Sequence, residues 1–142
     1  MQRKTVIRTL IAMAAAAALP IAAQAQAVKL TLGHGAAPGN PRHEASVKFA
    51  EILKAKTSGR IEVQVAPSAQ LGDDAAMVTA LRTGALDMSA NSQGAVANAV
   101  PEYAAFGMPF LFSNAAAAFK LLDGPLGKEL ADKSAEKGLI AL

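Results

Sequence analysis

The stretch GRIEVQVAPSAQLGDDAAMVTALRTGALDM, residues 59–88, decides the fold. Ile61, Val63 and Val65 alternate with Arg60, Glu62 and Gln64, the two-residue period of a strand with one buried face. Pro67 closes that strand. Asp73 or Asp74 then offers a carboxylate to cap a helix whose inner face is Met77, Val78 and Leu81. Gly84 ends the helix, since a residue without Cβ enters a left-handed cap freely. Leu86, Met88 and Ala90 predict a third strand.

Upstream, Val28, Leu30 and Leu32 alternate with Lys29 and Thr31 and predict a first strand, followed by the loop Gly33 to Gly39. Asn40 is the expected N-cap of a helix with Pro41 at its first position, where a missing N–H costs nothing. Ala45, Phe49, Ile52 and Leu53 predict the buried face of that helix, and Gly59 terminates it. Strand, helix, strand, helix, strand makes two βαβ units with right-handed crossovers, so the expected architecture is a doubly wound α/β lobe.

Downstream, residues Asn91 to Pro101 are small and polar and predict a loop with at most a short helix. Met108 to Phe112 is apolar but broken by Pro109, which unsuits it to a central strand. Asn114 is the expected cap of a helix running through Phe119 to Leu122, and Gly124-Pro125 breaks it. Leu126, Leu130 and Ala131 predict the inner face of a last helix, with a Glu129 to Lys133 pair on its surface and Gly138 at its end. Leu139 to Leu142 reads as the start of a buried strand, inside which the sequence stops.

The N-terminus has the anatomy of a secretory signal over residues 1–25. Arg3, Lys4 and Arg8 precede an apolar run from Leu10 to Leu19, and small residues allow cleavage after Ala25 or Ala27. That run is shorter than the ~20 residues a bilayer span needs. The formal net charge of the 142-residue chain is +3, and it vanishes with the three basic residues of the signal. An exported chain from 26 to 142 with no net charge has no electrostatic footprint for nucleic acid or for an acidic membrane. With no cysteine there is no disulfide, thiol nucleophile or thiolate metal site.

The loop after the first strand contains Gly33-x-Gly35, but Pro38 stands where a dinucleotide fingerprint needs its third glycine, and no Gly-Lys-Ser/Thr follows. No cofactor is expected. Ligands of open α/β sheets bind outside the carboxyl ends of the strands, and this loop lies at such an end. His34 there is either a solute-bonding group or a surface imidazole. His43 stands nine residues on, which is not a helical metal-ligand spacing, and no carboxylate completes a set. Asp73 and Asp74 point roughly 100° apart on a helix, which favours capping over an acid/base dyad and leaves Asp74 able to hold a solute hydroxyl or ammonium. Asn91, Ser92 and Gln93 follow the third strand directly, where uncharged hydrogen-bonding groups either orient a polar solute or satisfy their own turn. Phe106, Phe110 and Phe112 suit core or hinge packing. The serines have no nucleophile-elbow context, so no catalytic residue is expected.

These residues resemble a known family, the solute-binding subunits of tripartite ATP-independent periplasmic (TRAP) transporters of the dicarboxylate-binding DctP type. The resemblance spans essentially all of the chain after the signal. It rests on Leu32-Gly-His34, Phe49-Ala50, Thr57-x-Gly59-Arg60, Pro67-Ser-x-Gln-Leu-Gly72, Gly84-x-Leu-Asp-Met88, Val100-Pro-Glu102 and Pro109-Phe-Leu-Phe112. It implies a periplasmic binding protein of the type II-like doubly wound kind, truncated here before the second lobe is completed. It also implies capture of a small organic acid and delivery to a TRAP membrane permease, with no ATP hydrolysis and no chemistry on the solute. The first-lobe ligand positions it implies are His34, Asp74, Asn91, Ser92 and Gln93. Some relatives have an acidic residue near Ser92 and a basic one near Ala95, which this chain lacks, and the arginine that pairs with the solute carboxylate is expected beyond Leu142. Weak or undetectable solute binding is the expectation for these residues alone. A sensor module of the same fold is the alternative, passing solute occupancy to a signalling partner; an exported enzyme would need an activated nucleophile, a metal or a carboxylate pair.

Overall fold

The computed structural model describes residues 26–142, and the secretory signal expected over residues 1–25 lies outside the described residues. The first half is a parallel sheet with intervening helices: β1 (Val28–Gly33), α1 (Pro41–Lys56), β2 (Ile61–Ala66), α2 (Asp74–Thr83) and β3 (Met88–Ser89). The strands lie in the order β2-β1-β3. β1 pairs with β2 from Val28↔Ile61 to Gly33↔Ala66, and with β3 through Leu32↔Met88 and Gly33↔Ser89. The chain steps outward from β1 to β2 and then back across β1 to β3. With right-handed crossovers that reversal carries the two helices to opposite faces, the doubly wound pattern.

The caps form as the sequence chemistry requires. Asn40 Oδ1 accepts the Arg42 N–H at 2.9 Å ahead of α1. Asp73 Oδ1 accepts the Ala76 N–H at 2.7 Å ahead of α2, and Gly84 closes α2 in the left-handed region at φ 73°. Met77 is 0% exposed and Val78 is buried, as their periodicity predicts. Gly33 lets α2 approach β1 closely, because a Cβ there would stand 2.7 Å from Met77 Sδ and 3.3 Å from Leu71 Cδ1. On the other side, Val47 and Ala50 of α1 border an open groove of about 410 Å³ with Leu30, Val63 and Val65.

The buried face of α1 differs from the expected one. Ser46 is its buried residue, with Phe49, Ala50 and Leu53 half-buried, whereas Ala45 is exposed and Ile52 is 44% exposed. A hydroxyl can go inside here because Ser46 Oγ donates to the Arg42 carbonyl at 2.8 Å, satisfying itself within the helix. The helix is thereby rotated so that Arg42, Ser46, Phe49 and Leu53 share one side.

β3 is shorter than the expected run of Leu86, Met88 and Ala90. The Thr31 N–H, which a longer strand would engage, donates instead to Asp87 Oδ2 at 2.8 Å. The side chain substitutes for a ladder rung, although the Ala90 N–H still reaches the Gly33 carbonyl at 3.0 Å.

The second half consists of α3 (Gln93–Ala97), a 3₁₀ helix (Pro101–Gly107), α4 (Ala115–Leu122) and α5 (Pro125–Glu136). Asn114 caps α4 by accepting the Ala117 N–H at 2.9 Å, as expected. Leu130 is buried on α5, and Tyr103 OH donates at 3.3 Å to Ser134 Oγ, whose own proton goes to the Leu130 carbonyl. The expected Glu129 to Lys133 pair gives way to Lys133 with Glu102 at 2.8 Å, a partner on the 3₁₀ helix, while Lys128 and Asp132 form the i, i+4 bridge. Phe106 and Phe112 stack at 5.7 Å, but Phe110 is not packed: it is 102% exposed with φ 61°. Leu139 to Leu142 forms no strand, and Ile140 is 87% exposed, because no strand among the described residues lies alongside to pair with it.

Candidate functional site

The strand order reverses between β2 and β3, and this switch point lies beyond the carboxyl ends of β1 and β3, the place where doubly wound sheets hold ligands. Three loops meet there. The β2–α2 loop braces the β1–α1 loop through its backbone: the Ser68 N–H donates to the Ala36 carbonyl at 2.9 Å and the Ala69 N–H to the His34 carbonyl at 3.1 Å. Ser68 and Ala69 both take φ 56° to make those bonds, so the Pro67 to Gly72 motif acts as a clamp on the segment that carries His34.

Asp74 lies on the first turn of α2 and turns away from its neighbour Asp73. Its Oδ2 accepts the Ser92 N–H at 2.8 Å and faces Arg42 Nη1 at 3.4 Å. Burial pushes the Asp74 carboxyl up, but the Ser92 N–H, the Ser92 hydroxyl and the Arg42 charge outweigh it and hold the pKa below the ordinary value. The carboxylate is therefore anionic at neutral pH. Asp74 Oδ1 borders Gly35, where a Cβ would stand 3.2 Å away. Arg42 Nη1 also reaches the Ala90 carbonyl at 3.5 Å, at the end of β3.

His34 is 0% exposed, which overturns the surface-imidazole alternative. Its Nδ1 accepts the Ala36 N–H at 3.2 Å, and its Nε2 lies 3.2 Å from His43 Nδ1. Desolvation by burial is the main cause that lowers its pKa from 6.5, with the neighbouring His43 and Arg42 acting in the same direction and Asp74 pulling the other way. The nine-residue spacing of the two histidines is bridged by the loop and the first turn of α1, a proximity that spacing rules for a single helix miss. Among the described residues no three His, Cys, Asp or Glu side chains gather as a metal site.

Asn91 Nδ2 donates to Ser89 Oγ at 2.7 Å, while Asn91 Oδ1 is buried with no partner among the described residues. Such an orphan acceptor needs a donor from elsewhere. Gln93 opens α3 as an exposed side chain whose amide lies against the backbone of Gly107, leaving no room there for a Cβ. The structure thus joins Asp74 to Ser92 directly and seats His34 behind His43. Sequence reasoning assigned no part to Arg42; its place at the start of a helix beside the first loop was the available signal.

Comparison with known proteins places this arrangement in a family. Residues 32–142 match the DctP family, described as bacterial extracellular solute-binding protein, family 7. The protein y4mM of Sinorhizobium fredii is 58% identical over 113 residues, 80% of this chain and 21% of that protein. The C4-dicarboxylate-binding periplasmic protein DctP of Rhodobacter capsulatus is 32% identical over 132 residues, 92% of this chain and 40% of that protein. Among solved structures, the sugar acid binding protein DctPAm of Advenella mimigardefordensis in complex with galactonate superposes with a TM-score of 0.76 at 35% identity, over 81% of this chain and 37% of that one. The chain spans well under half the length of each of these relatives. By sequence and by fold, the chain belongs to the DctP family of bacterial extracellular solute-binding proteins.

Proposed function

We propose that this chain supplies the first lobe of a periplasmic solute-binding protein that captures a small organic acid and delivers it to the permease of a TRAP-type transporter. Residues 1–25 act as the export signal in this reading. The observation that carries it is the Asp74–Ser92 bond across the strand ends, with Arg42 beside it, at the switch point of a doubly wound sheet. A solute at this point meets hydrogen-bonding groups of the segment that follows β3. Asn91 Oδ1 supplies an acceptor for a solute hydroxyl, Ser92 and Gln93 orient the polar substituents, and Asp74 fixes the loop that bears them. His34 supports the rim from inside. Relatives named for C4-dicarboxylates and for galactonate support an organic acid as the solute class. Capture and release need no bond chemistry; a ligand that touches both lobes favours the closed form by its differential affinity.

The test is transport. Cells lacking the gene should lose uptake of one labelled organic acid, and uptake should return with the wild-type gene but not with Asp74→Ala. Undiminished uptake of every acid in a panel of dicarboxylates and sugar acids would contradict the proposal.

A further inference from the structure

We infer that the solute carboxylate meets this lobe at a donor-only pair, Arg42 and His43 on the first turn of α1, with His34 as a positioning residue behind it. The inference rests on the organic-acid reading above and adds the residues that select the acid.

The direction of the hydrogen bonds carries the argument. A backbone N–H only donates, so His34 Nδ1, 3.2 Å from the Ala36 nitrogen, is the acceptor and bears no proton. The neutral ring then carries its proton on Nε2, which donates to His43 Nδ1 at 3.2 Å. His43 in turn keeps its own proton on Nε2, on the far side of a half-buried ring. The relay runs one way, from backbone through a fully buried imidazole to the Nε2 proton of His43. Because burial disfavours charge on His34, the relay stays in this sense at neutral pH. His34 itself is sealed from any solute.

Arg42 completes the pair. A guanidinium has five N–H donors and no acceptor, and the contacts of Arg42 to Asp74 and to the Ala90 carbonyl both use Nη1, at 3.4 and 3.5 Å. Nε and Nη2 are engaged by no hydrogen bond among the described residues. The side chain is 35% exposed at the end of β3. Asp74 thus serves to hold the fork, which turns it away from binding a solute ammonium. Groups that only donate suit the oxygens of a carboxylate and disfavour a cation.

Solution NMR on the ¹⁵N-labelled protein, in the form its host exports, tests this in two steps. At mildly alkaline pH, long-range ¹⁵N–¹H spectra should show both His34 and His43 neutral with the proton on Nε2; a proton on Nδ1 of either ring overturns the relay. Titration with succinate and with galactonate should then move His43 Nε2 and Arg42 Nε together with the backbone amides of 91–93. Arg42→Lys should weaken the response about tenfold, since a charge remains but the fork is lost. His34→Phe should scramble the His43 tautomer and weaken binding, while His34→Gln, whose amide can donate to His43, should retain both. If the amides of 91–93 move and His43 and Arg42 do not, the inference fails and the organic-acid reading stands. If neither acid moves any of them, both fail.

Discussion

Asp74 Oδ2 accepts the backbone N–H of Ser92 at 2.8 Å, tying the first turn of α2 to the loop that leaves β3 eighteen residues later. The neighbouring Asp73 does a different task, capping α2 through the Ala76 N–H. Two adjacent carboxylates thus divide into one that starts a helix and one that holds the segment after β3.

This division is measurable. Asp73→Ala should cost about 1 kcal/mol in urea unfolding, the usual loss of an N-cap, without altering the segment after β3. Asp74→Ala should cost about 2 kcal/mol, because a half-buried charged acceptor is lost and the Ser92 N–H is left without it. Amide hydrogen exchange at Ser92 should speed up in Asp74→Ala alone. Equal acceleration in both variants would show that the loop depends on the helix cap and not on the Asp74 bond.

Acid should weaken the lobe in two separate steps. The folded-state pKa of His34 is depressed below 6.5, so the unfolded chain binds more protons and stability falls as pH drops from 6.5 towards the folded value. Asp74 is depressed below 3.8, so its contribution is complete above 3.8 and is lost as pH falls through its folded value. The variant His34→Asn keeps an acceptor for the Ala36 N–H and removes the titration. Its stability should be flat where the parent's begins to fall, as read by urea midpoints across pH; an unchanged slope would assign that limb to another group.

Close approach of α2 to β1 gives a third expectation. Gly33→Ala should destabilise by about 1–3 kcal/mol, since the new methyl meets Met77 in a position with no exposure. Trimming the opposing side chain, in Gly33→Ala with Met77→Val, should recover part of that loss. A neutral single substitution would mean that the helix can move away from the strand at little cost.

The rotated face of α1 is testable through Ile52. At 44% exposure, Ile52→Glu should change stability by no more than about 0.5 kcal/mol in thermal unfolding of this chain. A loss of several times that size would restore the face that apolar periodicity predicts.

What the sequence disclosed follows from what single residues determine locally. Alternation at Ile61, Val63 and Val65, the caps at Asn40, Asp73 and Asn114, and the stop at Gly84 act over a few residues, and these elements stand where they were expected, whereas α1 ends at Lys56 with Thr57 as its cap, ahead of Gly59. The α1 face was misread because Ser46 counts as polar until its bond to the Arg42 carbonyl is known. β3 was overextended because nothing in an alternating run announces that Asp87 will take the Thr31 N–H. In the site, Asp74 and Ser92 were legible as strand-end and helix-start residues. The His34–His43 contact and the Arg42 fork were not, because both arise from the angle at which α1 leaves the first loop.

The most direct measurement is calorimetric titration of the protein, in the form its host exports, with succinate and with galactonate. The account predicts that one of these acids binds with measurable heat and that Asp74→Ala weakens it at least about tenfold. Binding of neither acid, or binding unchanged by Asp74→Ala, would contradict it.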